Sequence, residues 1–202
     1  MTTRILLAED QGMLRSALAS LLDVEPDMQV VAQVGRGDEI VEAVAEWAPD
    51  VALVDIDLPG ASGLDILPDL TTRFPDCTVI IVTTFARAGY LRRAMTSGAR
   101  GFLVKDDPVD QLAAAIRRVL SGETVVQPDL ALAALRAPAN PLTERERELL
   151  QASQDGATVA DIAQRLYLSE HTVRNYLSSA IGKTGARNRA EALAVATDHG
   201  WV

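Results

Sequence analysis

The sequence predicts an α/β domain on a doubly wound, five-stranded parallel sheet, followed by a small all-α domain of four helices. Three observations lead there. Five short apolar runs recur through the first half of the chain, with helix-like spacing between them. The C-terminal stretch carries helix-start signals in place of such runs, and a segment holding Pro128, Pro138, Asn140 and Pro141 separates the two patterns. A chain of 202 residues also has the length for two hydrophobic cores.

In order, Ile5 to Ala8, Val30 to Ala32, Val51 to Val54, Val79 to Val82 and Gly101 to Val104 read as strands. They are continuously apolar because a parallel sheet covered by helices on both faces leaves no solvent-facing positions. Helical spacing places helices at 13–23, 38–46, 64–73, 88–97 and 108–121. Asp38 and Asp107 stand where helix caps are expected, Pro108 at a first helical position and Gly122 just past a helix end. Pro26, Pro49, Pro59 and Pro75 fall between elements. The expected boundaries are 1–122 for the first domain, 123–140 for a linker with a short helix over Leu130 to Leu135, and 141–202 for the second domain.

In the second domain, helices are expected at 144–154, 159–166, 170–183 and 189–199. Thr143-x-x-Glu146, Thr158-x-x-Asp161 and Asn188-x-x-Glu191 have the form of capping boxes, and Ser169 caps the third helix. Two short helices joined at Tyr167-Leu168-Ser169, the second longer and polar near its start, form a helix-turn-helix signal.

Composition narrows the function classes. With 48% hydrophobic and 23% charged residues and no low-complexity segment, the chain is not disordered. It shows no basic leader with an apolar core, and no apolar run of the roughly 18 residues that cross a bilayer. A soluble cytoplasmic protein is therefore expected. The single cysteine, Cys77, excludes an intrachain disulfide and reads as a quiet thiol. The net charge of −9 is unevenly spread: residues 1–125 hold 11 Lys/Arg against 19 Asp/Glu, and residues 126–202 hold 8 against 9. Within the latter, Arg165, Arg174, Lys183, Arg187 and Arg189 face only Glu170, a local footprint compatible with DNA.

Open parallel sheets do their chemistry beyond the C-terminal strand ends. Glu9 and Asp10 end the first strand, Asp55 the third and Thr83 the fourth, and Lys105 follows the fifth. Clustered carboxylates repel one another and suit a hard divalent cation, most naturally Mg2+, which also neutralises charge on a transferred phosphoryl group. Asp55, central on the sheet edge, is the candidate nucleophile, and Glu9 and Asp10 are direct or water-mediated ligands. Lys105 and the Thr83 hydroxyl are placed for phosphoryl oxygens. Singly, each acidic residue reads as readily as a helix cap; their joint occurrence at successive strand ends points to a site.

The blocks Ala8-Glu9-Asp10-Gln11, Leu53-Val54-Asp55-Ile56-Asp57-Leu58-Pro59-Gly60, Val82-Thr83-Thr84 and Gly98-Ala99-x-Gly101-Phe102-Leu103-Val104-Lys105 resemble bacterial receiver domains of CheY-like, flavodoxin-like fold. The resemblance implies phosphoryl transfer from a sensor histidine kinase to Asp55. It also implies Mg2+ held by Glu9, Asp10, Asp55 and the backbone carbonyl of Asp57, and phosphoryl binding and switching through Thr83, Thr84, Phe102 and Lys105. Residues 141–199, with Leu142-Thr143-x-Arg145-Glu146, Leu168-Ser169-Glu170-His171-Thr172-Val173-Arg174-Asn175 and Lys183-Thr184-Gly185-Ala186-Arg187, resemble the LuxR-type helix-turn-helix domain of NarL/FixJ-type response regulators. Tyr176 replaces the His common at its position. The overall likeness is to actinobacterial DesR-like regulators, which implies a membrane-bound kinase.

On this reading the partners are double-stranded DNA, the cognate sensor histidine kinase and a second copy of the chain joined on phosphorylation, with RNA polymerase a further candidate. Glu170, Thr172, Val173, Arg174, Asn175 and Tyr176 lie in the first turns of the recognition helix. Arg174 is expected at guanine or phosphate, Val173 on a thymine methyl, and Lys183 and Arg187 at phosphate. Leu177, Ile162, Ala163, Leu166 and Ile181 read as core, Trp47 and Trp201 as packing residues, and His171 and His199 as surface or capping groups. One recognition helix reads few base pairs, so specificity calls for a symmetric dimer. The alternatives are a phosphatase or kinase-like enzyme, which lacks a Gly-rich phosphate loop and a second nucleophile, and an interaction module without DNA binding. The chain is not expected to be an enzyme.

Overall fold

The computed structural model describes residues 2–84, 87–105, 109–136 and 138–202. Two compact units divide the chain: Met1–Ala86 with Tyr90–Leu132, and Ala133–Val202 with Arg87–Gly89. The expected cap at Asp107 and the helical start at Pro108 lie outside the described residues.

The first unit alternates strands and helices: β1 (Thr3–Ala8), α1 (Gly12–Asp23), β2 (Met28–Val34), α2 (Ile40–Trp47), β3 (Val51–Val54), α3 (Gly63–Arg73), β4 (Thr78–Thr83), α4 (Ala88–Thr96), β5 (Gly101–Val104), α5 (Val109–Leu120) and β6 (Val125–Val126). The sheet is parallel throughout, in the order β2-β1-β3-β4-β5-β6. Its strand order reverses between β1 and β3, which opens a crevice at their C-terminal ends. Alternate strand residues point to opposite faces. Ile5, Leu7, Leu53, Ile80 and Val82 pack with Leu18, Leu22, Leu112 and Ile116 from α1 and α5. Leu6, Ala8, Ala52, Val54 and Ile81, of the opposite parity, are buried too, and so are Ile40 and Val44 of α2 and Leu64 and Leu67 of α3.

Among the described residues the sheet has six strands in place of the five expected. The addition, β6, pairs its two residues with Gly101 and Phe102, and a two-residue run carries no periodicity from which to read it. Asp38 is not a helix cap: it lies inside a 3-10 turn at Gly37–Glu39, and Arg36 takes its carboxylate through Nε and Nη2. Trp47 is 42% exposed and so is only partly the packing residue expected, whereas Trp201 is buried. Cys77 is buried, and that burial, with Asp50 nearby, pushes its thiol up to about 11, in keeping with a quiet thiol.

A helix, α6 (Pro128–Arg136), covers the expected linker helix and starts on a proline, which lacks the N–H that a first helical position leaves unpaired. The second unit then holds α7 (Glu144–Gln151), α8 (Val159–Arg165), α9 (Glu170–Thr184) and α10 (Arg189–Asp198). The Thr143/Glu146 and Thr158/Asp161 boxes are complete, and Ser169 accepts from the Thr172 N–H. At Asn188 only half a box forms, because the Glu191 carboxylate accepts from the Arg187 backbone and guanidinium instead. The first of these helices ends before 154: Ser153 donates from both N–H and Oγ to Leu150 O, and a 3-10 turn follows at Gln154–Gly156. Gly185, at φ 68°, closes α9, with the Ala186 N–H returning to Ile181 O. The core unites Leu149, Leu150, Ile162, Val173, Leu177, Ala180, Ala192 and Trp201.

Candidate functional site

The crevice between β1 and β3 brings three carboxylates together. Glu9 and Asp10 follow β1 and Asp55 follows β3, with one oxygen from each lying within 4.8 Å of the others. Glu9 and Asp55 are buried, while Asp10 is exposed. Lys105, one residue past β5, reaches Asp55 Oδ2 at 2.8 Å and Glu9 Oε2 at 2.5 Å, with its own side chain only 7% exposed. Burial opposes the charge on Lys105, but the bonds to Asp55 and Glu9 outweigh it and hold its pKa above the ordinary lysine value.

Backbone contacts fix Asp55. Its N–H donates to Ala8 O, and its Oδ1 accepts from the Ile56 N–H at 2.7 Å. Behind it, Gly63 begins α3 so close that an added Cβ would stand 2.1 Å from Asp55 O. Only glycine fits there. The Gly63 N–H and Ser62 Oγ both donate to Ile56 O, closing the loop after the aspartate.

The remaining residues expected at this site are distributed around it. Thr83 ends β4 fully buried, and its carbonyl accepts from the Lys105 N–H. Thr84 is exposed just beyond it, Asp57 is exposed in the loop after Asp55, and Phe102 is fully buried in β5. Arg15, which no motif in the sequence marks, also belongs to the site. From the first turns of α1 its Nη1 donates to Glu9 O, and its guanidinium occupies the space that a side chain at residue 35 would need. Hard, anionic oxygen donors in this number fit a Mg2+-sized divalent cation.

The second unit presents the polar side of α9. Glu170, Arg174, Asn175 and Tyr176 are exposed and Thr172 is half-buried. Arg174 pairs with Glu170 one turn back at 2.5 Å, Asn175 Nδ2 lies 3.2 Å from His171 Nε2, and exposed Arg187 pairs with Glu191. One expectation needs correction. Val173 is 0% exposed and belongs to the core, because with Leu177 and Ala180 it forms the inward stripe of α9, so it does not reach a thymine methyl from this position. Lys183, expected at phosphate, pairs through Nζ with buried Glu146 at 2.7 Å. His199 packs edge-to-face on Trp201. Tyr167, in the turn between α8 and α9, is 95% exposed with φ 53°, a conformation unusual for an aromatic residue.

Two family descriptions match the chain: "Response regulator receiver domain" over residues 5–117 and "Bacterial regulatory proteins, luxR family" over residues 140–196. The transcriptional regulatory protein YvfU of Bacillus subtilis is 46% identical, covering 98% of this chain and 99% of its own. The transcriptional regulatory protein DesR of the same organism is 44% identical, with 98% of each chain covered. Among solved structures, the response regulator ChrA of a heme-sensing two-component system aligns over 100% of this chain and 99% of its own, at 30% identity and a TM-score of 0.57.

Proposed function

Because this chain belongs to the response regulators that join a receiver domain to a LuxR-family regulatory domain, we propose that phosphorylation of Asp55 by a sensor histidine kinase controls its dimerisation and its sequence-specific binding of double-stranded DNA, and thereby transcription. The observation that carries this reading is the bonding of Lys105 to both Asp55 and Glu9 at the sheet's topological switch point.

Asp55 Oδ2 is the attacking oxygen: it forms the new P–O bond as the P–N bond to the kinase histidine breaks, and the electron pair returns to the imidazole. Asp55 Oδ1 stays oriented by the Ile56 N–H. Lys105 then exchanges its carboxylate partners for the phosphoryl oxygens, joined by the hydroxyls of Thr83 and Thr84, and Phe102 follows Thr83 as the switch. Glu9, Asp10, Asp55 and the Asp57 carbonyl would hold Mg2+, which offsets the charge of the phosphoryl group when bound. The site acts as a stoichiometric acceptor and not as a turnover enzyme.

Residues 1–122 form the receiver, 123–140 the linker and 141–202 the DNA-binding domain, in which Glu170, Thr172, Arg174, Asn175, Tyr176 and Arg187 supply the DNA surface. A membrane-bound kinase and RNA polymerase complete the partner set of a cytoplasmic regulator; among the described residues no helix is long and apolar enough to cross a membrane. Incubation with Mg2+ and acetyl phosphate should add one acid-labile phosphoryl group to the chain and none to Asp55→Asn. Undiminished labelling of the variant would exclude Asp55 as the acceptor.

A further inference from the structure

Lys183 lies in the last turn of α9, yet its ammonium is turned to the protein. Glu146, 3% exposed, accepts from Lys183 Nζ at 2.7 Å and from the Thr143 N–H at 2.7 Å through Oε2, and from Ser179 Oγ at 2.7 Å through Oε1. One carboxylate therefore closes the N-terminal cap of α7 and grips two residues of α9. Ser179 and Lys183 are four apart, on one face of the helix. Beyond the local Ser169 cap, the other ties of α9 to the domain among the described residues are apolar, through Val173, Leu177 and Ala180. Apolar packing is non-directional, whereas charge-assisted hydrogen bonds fix an angle.

We infer that Glu146 is the positioning residue of the recognition helix α9, and that Lys183 serves as its counter-ion and not as a DNA-phosphate contact. This rests on the DNA-binding reading above. Burial of Glu146 opposes its charge, but the bonds from Lys183, Ser179 and Thr143 hold it ionised, so the clamp persists at neutral pH. The charge offered to DNA then comes from the exposed Arg165, Arg174 and Arg187, the last two held only by the solvent-facing carboxylates Glu170 and Glu191, whereas Arg189 donates to Ala157 O inside the domain.

The test uses the full chain with two fluorescent duplexes, one of mixed sequence and one enriched from a randomised pool, titrated over a series of salt concentrations. Lys183→Ala should leave the log–log salt slope at the parent value. Glu146→Gln should steepen it by about 0.9, because the freed ammonium turns to phosphate. The same variant should lose about 5- to 150-fold of the preference for the enriched duplex, the worth of one base pair. Glu146→Gln with Lys183→Ala should restore the slope but not the preference. A slope reduced by about 0.9 in Lys183→Ala, or full preference retained in Glu146→Gln, overturns the inference. If Glu146→Gln does not fold, Ser179→Ala takes its place and should reduce preference without changing the slope; unchanged preference overturns the positioning role. Independently of DNA, Lys183→Ala should lower the melting temperature by about 4–8 °C, and an unchanged value overturns the counter-ion assignment. A parent that binds neither duplex refutes the DNA-binding reading, while the melting comparison still decides the role of Lys183.

Discussion

Replacing Lys105 with methionine keeps a long apolar stem in the crevice and removes only the ammonium that joins Asp55 to Glu9. Both carboxylates are buried, and Asp10 brings a third charge within 4.8 Å. Removing one partner of a buried ion pair costs about 3–5 kcal/mol, because the remaining charge keeps its desolvation penalty and loses its compensation. Against a total stability of about 5–15 kcal/mol, Lys105→Met should place the first unit near the limit of folding in EDTA. A divalent cation restores the balance: at 100 times its Kd, Mg2+ contributes about 2.7 kcal/mol, and more to the variant than to the parent, whose lysine competes for the same oxygens. Urea denaturation followed by circular dichroism, with EDTA and with Mg2+, measures both effects. A variant within about 0.5 kcal/mol of the parent in EDTA would fall in the range of ordinary surface substitutions and refute the argument. So would equal stabilisation of the two proteins by Mg2+.

Three further outcomes are expected. Glu146 is held at about 2, below the ordinary carboxyl value, so its contribution to stability is complete above the unfolded pKa and is lost as pH falls toward 2; acid titration of the melting temperature should show this loss in the parent and not in Glu146→Gln. Val173→Ala should cost about 2 kcal/mol of stability through the cavity it leaves, while base preference at each position of a selected duplex stays the same; altered preference at one position with native stability would return Val173 to the DNA surface. Tyr167→Gly relieves a left-handed residue of about 1–2 kcal/mol and should raise the melting temperature, and a fall would show that the ring supports the fold.

The parallel sheet was legible because buried strands write themselves as unbroken apolar runs, and the first carboxylate site because strand ends converge on one edge. Thr143, Thr158 and Ser169 announced their helices through local hydrogen bonds that need only neighbouring residues. Long-range pairing was not legible. Lys183 meets Glu146 across 37 positions, so each looked free when read alone, the one as a phosphate contact and the other as a cap. The contact of Arg15 with Glu9 O is only six residues in span, but it depends on how α1 leaves β1. Val173 differs in kind: its spacing of four and seven to Leu177 and Ala180 is itself an inward stripe, flanked on either side by polar residues of the exposed face.

Coupling between Asp55 and DNA is the central claim, and one titration tests it most directly. The full chain, phosphorylated with acetyl phosphate and Mg2+ or left untreated, is titrated against a duplex enriched from a randomised pool, with sedimentation on the same samples and Asp55→Asn alongside. Phosphorylation should raise affinity about 5- to 150-fold, the range of a coupling of about 1–3 kcal/mol, and should increase the dimer population in parallel, with no response in Asp55→Asn. Equal affinity and equal mass with and without the phosphoryl group would contradict the account.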